Sequence, residues 1–270
     1  MVSVNMRLDH IQILSPKPAE LAAFYAKTTH GQVREFTGGH WLCEGPARQL
    51  LVAEGPPNAQ GFSAFVVETQ AELDVLRGRC DILPSTSPLW GGRDAFAVED
   101  PDGNRLEFAL DGGQPSVSDP WGRLQHLAVR SPNIDALVEF YSSAIGLKVS
   151  DRVEDDQGRT TTCFLQSDHE HHSLAIFGAS EKRLDHHSYE QADWNAIRDW
   201  ADHLASLDIQ LNWGPGRHGP GNNLFLFYSD PDGNWIEISA ELEVPGDRPL
   251  GVWRHCERTL NLWGRAILRQ

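Results

Sequence analysis

The sequence predicts an α+β protein in which one module of strands and helices occurs twice. The segment LDHIQILSPKPAELAAFY, which begins at Leu8, aligns with LQHLAVRSPNIDALVEFY from Leu124, a shift of 124 − 8 = 116 residues. A second repeat aligns DPDGNRLEF from Asp100 with DPDGNWIEI from Asp230, a shift of 230 − 100 = 130 residues. Because the second shift is larger, the later copy contains extra residues in its middle.

Each copy begins with a strand and a helix. Alternating apolar residues open each repeat and predict the strand, and a Ser-Pro pair then marks the start of the helix. In the later copy Ile134, Leu137 and Tyr141 follow at helical spacing, and the segment from Trp194 to Leu204 predicts a second helix. A glycine-rich loop then leads into further strands, which the tight turn DPDG connects.

A stretch of turn-forming and polar residues, QPSVSDPWGR, separates the two copies. We therefore expect an N-terminal module over residues 1–113, a linker over 114–123, a C-terminal module over 124–245 and a tail over 246–270. In the tail, Leu260, Trp263 and Ile267 recur at helical spacing, which predicts a helix that packs back on a module.

Composition and charge narrow the possible partners. Lysine and arginine total 23 against 38 acidic residues, and a net charge of −15 disfavours nucleic acids and anionic membranes. The start of the chain lacks a basic segment followed by an apolar run, so we expect a cytoplasmic protein. The four cysteines form no CxxC pair, which favours reduced, structural thiols over a zinc or redox motif.

Three side chains of the C-terminal module are candidate metal ligands. In the first strand His126 alternates with Leu127, so that the histidine lies on the face opposite to the core. Glu237 stands between two isoleucines in the last strand and lies on the corresponding face for the same reason. In LDHHSYEQ, the register that matches the first strand favours His186 and turns His187 away.

Two imidazoles and one carboxylate on separate strands can bind a divalent metal facially and leave positions open for substrate and oxygen, as non-haem Fe(II) oxygenases require. The N-terminal copy keeps His10 and Glu107 but has Ser63, in GFSAFVVE, where the C-terminal copy has His186. We therefore expect hydrogen bonds, and not a metal, to satisfy His10 and Glu107.

These residues resemble the vicinal oxygen chelate superfamily and, within it, the two-domain type I extradiol dioxygenases of the catechol 2,3-dioxygenase kind. The resemblance covers nearly the whole chain and rests on LQHLAVRSPN with His126, HHSLAIF with His171, LDHHSYE with His186, GPGRHGPGNNLFLF with His218 and DPDGNWIEIS with Glu237. It implies that each module consists of paired βαβββ units whose mixed sheets curl into an open barrel, with metal in the C-terminal barrel only.

The resemblance also implies a reaction. Fe(II), or Mn(II), is expected to be held by His126, His186 and Glu237 and to bind a catechol-type aromatic diol beside O2. Both oxygen atoms would enter the ring as it opens next to its hydroxyl groups. Assembly is common among such relatives, so a homo-oligomer is a further expectation.

Two more histidines take acid–base roles under this resemblance. His171 and His218 match the positions of such groups in ring-cleaving relatives, and a catechol must lose protons when it binds. The run DHEHH also contains His169 and His172, which remain alternatives to His171.

The chain departs from the family pattern at one position. Such dioxygenases usually have a tyrosine near the metal in the strand before DPDG, where this chain has Phe227. Strand alternation sends Phe225 and Phe227 to the site, with Trp235 completing an apolar wall, and turns Tyr228 away. The phenolic hydrogen bond is then missing.

Two other functions fit the same modules. A glyoxalase-like isomerase or lyase would use the metal ligands without O2, and His171 and His218 argue against it because they match ring-cleaving relatives. A ligand-sequestering protein of the bleomycin-resistance type would need no metal, and the complete ligand set argues against that. Stoichiometric iron would favour the dioxygenase.

Overall fold

The computed structural model describes residues 4–113 and 122–268, which form two mixed sheets with helices packed against them. Most of the expected linker, residues 114–121, lies outside the described residues. Each sheet belongs to one of the two repeats, so the predicted α+β class and the tandem modules are confirmed. Within the described residues no helix is long and apolar enough to cross a membrane.

The N-terminal module is an eight-stranded sheet with two helices. Its elements are β1 (Met6–Ser15), α1 (Pro18–Thr28), β2 (Gln32–Phe36), β3 (His40–Glu44), β4 (Gln49–Glu54), β5 (Ala59–Val67), α2 (Gln70–Arg79), β6 (Leu83–Pro84), β7 (Ala95–Glu99) and β8 (Arg105–Leu110), with 3₁₀ turns at Thr37–Gly39 and Pro88–Trp90. The strand order is β2-β3-β4-β1-β5-β8-β7-β6. Two βαβββ units therefore meet at their first strands, β1 and β5, which are antiparallel.

The C-terminal module repeats this plan. Its elements are β9 (Leu124–Ser131), α3 (Ile134–Glu139) with a π-helical turn at Phe140–Ile145, β10 (Lys148–Glu154), β11 (Thr160–Gln166), β12 (Leu174–Gly178), β13 (Arg183–Gln191), α4 (Trp194–Ser206), β14 (Trp213–Arg217), β15 (Leu224–Ser229) and β16 (Trp235–Ala240). A further strand from the tail, β17 (Gly251–Arg254), extends the sheet to the order β14-β15-β16-β13-β9-β12-β11-β10-β17. The antiparallel pair β9 and β13 occupies the place that β1 and β5 hold in the first module.

One apolar core runs through both modules. It contains Ile13 and Tyr25 from the first module and Trp200 and Ile238 from the second, all of them buried. The opposite face of each sheet lines the inside of its own module and carries separate apolar clusters. Since side chains alternate along a strand, every second residue of β9, β13 and β16 faces this interior.

Two tyrosines tie the modules to one another. The Tyr25 hydroxyl donates a hydrogen bond to Oδ2 of Asp230, 2.9 Å away, and the Tyr141 hydroxyl donates one to Oδ2 of Asp100, 3.0 Å away. Each aspartate begins the DPDG turn of the other module. The repeated helix and the repeated turn are therefore used reciprocally across the interface.

The tail is not the helix that its spacing predicts. The strand β17 pairs in parallel with β10, the helix α5 (Glu257–Leu260) is a single turn, and residues 261–268 are not helical. The backbone N–H of Leu262 donates to the carbonyl of Arg217, and the Trp213 indole donates to the carbonyl of Arg265. The tail thus packs back on the C-terminal module through strand and loop hydrogen bonds, which replace those of a helix.

Candidate metal centre

Three adjacent strands of the C-terminal module bring the predicted ligands together. His126 lies on β9, His186 on β13 and Glu237 on β16, and Ser188 of the middle strand pairs with both His126 and Glu237. One ligand atom from each of the three residues lies within 4.8 Å of the other two. All three side chains are buried in the interior of the module.

The spacing of these atoms fits a metal ion. Nε2 of His126 is 2.9 Å from Oε2 of Glu237, and Nε2 of His186 is 3.3 Å from the same oxygen. An ion about 2.1 Å from each ligand holds neighbouring ligand atoms about 3 Å apart. Two imidazole nitrogens and a carboxylate oxygen that converge at this distance can occupy one face of a divalent ion.

The electrostatics of the cluster favour an ionised carboxylate. Burial raises the pKa of Glu237, but the charge and hydrogen bond of His126 and the hydrogen bond of His186 hold that pKa well below its ordinary value. Burial also lowers the pKa of His126. A buried carboxylate needs a cationic partner, and a divalent ion supplies one while the imidazoles remain neutral ligands.

A buried aspartate orients His186. Oδ1 of Asp185 lies 2.7 Å from Nδ1 of His186, and Arg130 donates to Oδ2 of the same aspartate at 2.6 Å. Pairing with β9 shifts register between Leu184 and His186, so that Asp185 does not follow the regular alternation. The carboxylate therefore reaches the neighbouring imidazole and directs Nε2 at the metal position.

His172, and not His171, faces the cavity beside the ligands. The His172 ring lies 4.4 Å from that of His126, centroid to centroid, and lines the cavity with His186. His171 lies behind it, fully buried, with its Nδ1 2.9 Å from Nδ1 of His172. His169 lines a separate surface pocket beside Asn5. The structure therefore places His172, one of the two alternatives to His171, in the cavity wall, and the acid–base role expected of His171 stays a prediction.

The reason for the position of His172 is local. Ala175 of β12 lines the cavity, and counting back by twos along an ideal strand leads to Ser173 and His171. However, β12 begins only at Leu174, and the residues before it form a loop in which alternation does not hold. The sequence contains no periodic signal that distinguishes His172 from its neighbours.

His218 reaches the same cavity from the loop after β14. Its Nε2 lies 3.5 Å from Oε1 of Glu237, and its Nδ1 lies 2.5 Å from the carbonyl oxygen of Leu260. The imidazole stacks on Phe225, with ring centroids 3.9 Å apart. Asn223 donates to Oε1 of Glu237 at 3.1 Å and so fixes the second carboxylate oxygen.

The cavity beside the ligands is small and its wall is largely apolar. It measures about 30 Å³. The residues that line it are Phe164, His172, Ala175, Phe177, His186, Trp213, His218, Pro220, Asn223, Phe227, Glu237 and Leu260. Lysine and arginine do not occur among these described residues, so the wall offers no cation to a charged ligand.

The comparisons with known proteins agree with this geometry. Residues 123–238 match the family described as Glyoxalase/Bleomycin resistance protein/Dioxygenase superfamily. The match covers the C-terminal module. Metapyrocatechase 2 of Cupriavidus necator is 33% identical over 148 residues, which cover 54% of this chain and 45% of that protein. The matched region thus spans less than half of that relative.

Solved structures share the fold across almost the entire chain. The Mn(II)-bound glyoxalase from Novosphingobium aromaticivorans superposes with a TM-score of 0.85 at 24% identity, covering 97% of this chain and 92% of that one. The homoprotocatechuate 2,3-dioxygenase from Arthrobacter globiformis gives 0.84 at 24% identity, covering 99% and 91%. At this level of identity the likeness shows the fold alone, with its two tandem modules.

The first module has an altered version of this centre. His10 and Glu107 both pair with Ala64, as His126 and Glu237 both pair with Ser188 of the second module. Phe62 lies two residues before Ala64 in the first module, and His186 lies two residues before Ser188 in the second. The position equivalent to His186 is therefore Phe62, and the predicted equivalence with Ser63 was wrong by one residue.

Both His10 and Glu107 of the first module make hydrogen bonds within that module. Nδ1 of His10 lies 2.7 Å from Asp9 and Nε2 lies 2.7 Å from the Ser87 hydroxyl. Glu107 accepts hydrogen bonds from the backbone N–H and the hydroxyl of Thr86 and from Arg105. These contacts confirm that hydrogen bonds occupy His10 and one oxygen of Glu107.

Phe227 lies at the position before the DPDG turn where the sequence comparison leads us to expect a tyrosine. Its ring is 5.1 Å from that of His186 and 5.3 Å from that of Trp213, and all three line the cavity. Tyr228 belongs to the apolar core on the other face of the sheet. The predicted alternation of β15 is confirmed, and no phenolic hydroxyl from these two positions reaches the cavity.

Proposed function

We propose that the chain is an extradiol dioxygenase, which opens a catechol-type ring beside its hydroxyl groups with both atoms of O2. The observation that carries the proposal is the convergence of His126, His186 and Glu237 in one buried cavity with two further histidines, His172 and His218. A glyoxalase-like reaction needs the three ligands but gives the two extra histidines no evident task.

The metal of the proposal is Fe(II), with Mn(II) as the second choice. Two imidazoles and a carboxylate on one face are the donor set of non-haem Fe(II) oxygenases, which keep the remaining positions open. When bound by His126, His186 and Glu237, the ion supplies a common binding point for the diol and O2. Side chains of the protein supply the proton acceptors and the binding surface for the ring.

His218 is suited to take a proton from the substrate. Because its Nδ1 faces the carbonyl oxygen of Leu260, which only accepts, the ring proton is on Nδ1. Nε2 then presents a lone pair on the side of Glu237 and can accept the proton of a catechol hydroxyl. His172 faces the cavity from another side, and burial holds its pKa well below the ordinary value, so that it remains a neutral acceptor.

The substrate class of the proposal is a catechol with uncharged ring substituents. Phe164, Phe177, Trp213 and Phe227 supply flat apolar surfaces for an aromatic ring. A carboxylate on the substrate would lose its hydration without gaining a cationic partner from the described lining residues, which costs several kcal/mol. We therefore expect catechol and 3-methylcatechol to be cleaved in preference to 3,4-dihydroxyphenylacetate.

A cytoplasmic location is part of the proposal. The four cysteines are free thiols, and burial raises the pKa of Cys43 to about 11 and that of Cys163 to about 12. Thiols of this kind are unreactive and fit a reducing compartment.

The test is oxygen uptake together with the absorbance of the ring-fission product. Protein purified without oxygen and loaded with Fe(II) is offered neutral and carboxylated catechols, with His186→Ala as the control. The proposal expects uptake with a neutral catechol that the control lacks. Tight iron binding without uptake on any catechol would contradict it, and metal-dependent conversion of a hemithioacetal without O2 would favour the isomerase.

A further inference from the structure

A buried aspartate lies behind the histidine pair of the cavity. Asp151 of β10 accepts hydrogen bonds from Arg248, from the backbone N–H of Gly251 and from the indole of Trp253, at 2.8 to 2.9 Å. Its Oδ2 also lies 3.0 Å from Nε2 of His171. Burial raises the pKa of Asp151, but hydrogen bonds from His171 and Arg248 outweigh it and lower that pKa to about 2.

The donor and acceptor atoms can be assigned in order from Asp151 through His171 to His172. An ionised carboxylate only accepts hydrogen bonds, so we assign the ring proton of His171 to Nε2, the nitrogen that lies 3.0 Å from Oδ2 of Asp151. A neutral imidazole has one N–H, and Nδ1 of His171 is then an acceptor. It lies 2.9 Å from Nδ1 of His172, which must therefore be the donor. The remaining nitrogen of His172, Nε2, is left without a proton.

We propose that His171 is a positioning residue that, held by Asp151, fixes His172 in the tautomer whose Nε2 faces the cavity as a proton acceptor. His172 lines the cavity and His171 does not. The use of this tautomer in catalysis rests on the proposed ring cleavage, but the tautomer itself does not. In catalytic triads an aspartate orients a catalytic histidine directly. Here Asp151 would orient His172 through one more imidazole, that of His171.

The arrangement also provides a place for positive charge. When Nε2 of His172 takes a proton, the proton on its Nδ1 can move to Nδ1 of His171 across the 2.9 Å contact. The charge then lies on His171, 3.0 Å from Asp151, and not beside the metal ligands. One proton enters at the cavity and one moves within the pair, so the number of protons balances.

The experiment has to separate a purely structural role of Asp151 from its role in orienting His171. Arg248, Gly251 and Trp253 all belong to the tail, so Asp151 also anchors the tail to β10. The test therefore changes His171 and leaves Asp151 in place. His171→Gln keeps an acceptor for His172 and a donor for Asp151, whereas His171→Phe keeps neither.

The direct measurement is long-range ¹H–¹⁵N spectroscopy of the full chain loaded with Zn(II) as a diamagnetic probe. The His172 signals are assigned by their loss in His172→Gln. We expect the ring proton on Nδ1 in the wild type and in His171→Gln, and a shift towards Nε2 in His171→Phe. A wild-type proton on Nε2, or an unchanged tautomer in His171→Phe, would overturn the proposal.

Turnover of the Fe(II)-loaded enzyme gives the second readout. With a neutral catechol, His171→Phe should lower kcat about 10²-fold with little change in KM, and His171→Gln should restore most of it. Equal kcat in the two variants would contradict the positioning role. If no catechol is cleaved by the wild type, the proposed function fails while the spectroscopic result still decides the tautomer.

Discussion

The two modules place a histidine and a glutamate at equivalent points of equivalent sheets, and yet only one of the two centres has three converging ligands. In the first module Nε2 of His10 bonds to Ser87, and Phe62 fills the third position with its ring 5.6 Å from that of His10. In the second, His186 fills that position, and both imidazoles face the same oxygen of Glu237. The candidate metal centre therefore differs from the packed interior of the first module by one side chain, His186 in place of Phe62, and by the hydrogen-bond partners of the neighbouring histidine and glutamate.

The largest expected effect comes from making the second module resemble the first. His186→Phe copies Phe62 and removes one of the three ligands, so metal content and ring-cleaving activity should fall below detection. Metal analysis of the purified variant measures this. His10→Gln, which keeps hydrogen-bonding atoms in the first module, is the matched control and should leave both properties unchanged. Retained metal in His186→Phe would contradict the claim that His186 distinguishes the second module from the first.

A smaller effect is expected from the aspartates that contact the two histidines. Asp185→Asn weakens the partner of a metal ligand and should reduce metal affinity about 10- to 100-fold. Asp9→Asn alters the same contact in the first module, where we propose no metal, and should leave the affinity unchanged. A competitive titration with a chelator compares them, and equal losses in the two variants would contradict the assignment.

The reciprocal tyrosines test the symmetry of the interface. Tyr25→Phe and Tyr141→Phe each remove a donor from a buried aspartate, and each should lower the free energy of unfolding by about 1–3 kcal/mol. Urea unfolding at an unchanged m-value measures both. A loss confined to one variant would show that the two turns are not used equivalently.

The smallest effect is a pH dependence in the second module. The pKa of Asp151 is about 2 in the folded chain, below the ordinary value of about 3.9, so its contribution is present above pH about 4 and lost as pH falls towards 2. The difference in unfolding free energy between the wild type and Asp151→Asn should shrink across this range. A difference that stays constant down to pH 2 would contradict the lowered pKa.

The sequence predicted what periodicity and repetition determine. The repeated segments predicted two modules, and strand alternation predicted the faces of His126, Glu237 and Phe227, because side chains of a regular strand must alternate. The LDH triplet of residues 184–186 recurs at residues 8–10 and could have indicated the Asp185–His186 contact, since both pairs lie 2.7 Å apart.

Other features depended on contacts that are distant in sequence. The choice between His171 and His172 falls in a loop, and the equivalence of Phe62 with His186 appears only from strand pairing. The tail has apolar residues at helical spacing, but pairing of β17 with β10 and packing against Arg217 determine its conformation. In each case tertiary contacts override local pattern.

The most direct test of the comparison between modules is the number of metal ions bound per chain. Fe(II) is titrated without oxygen into metal-free wild type and His186→Phe, and bound metal is counted at saturation. We expect one tightly bound ion per wild-type chain and none in the variant. Two ions per wild-type chain, or one ion retained by His186→Phe, would contradict the assignment of the metal centre to His126, His186 and Glu237.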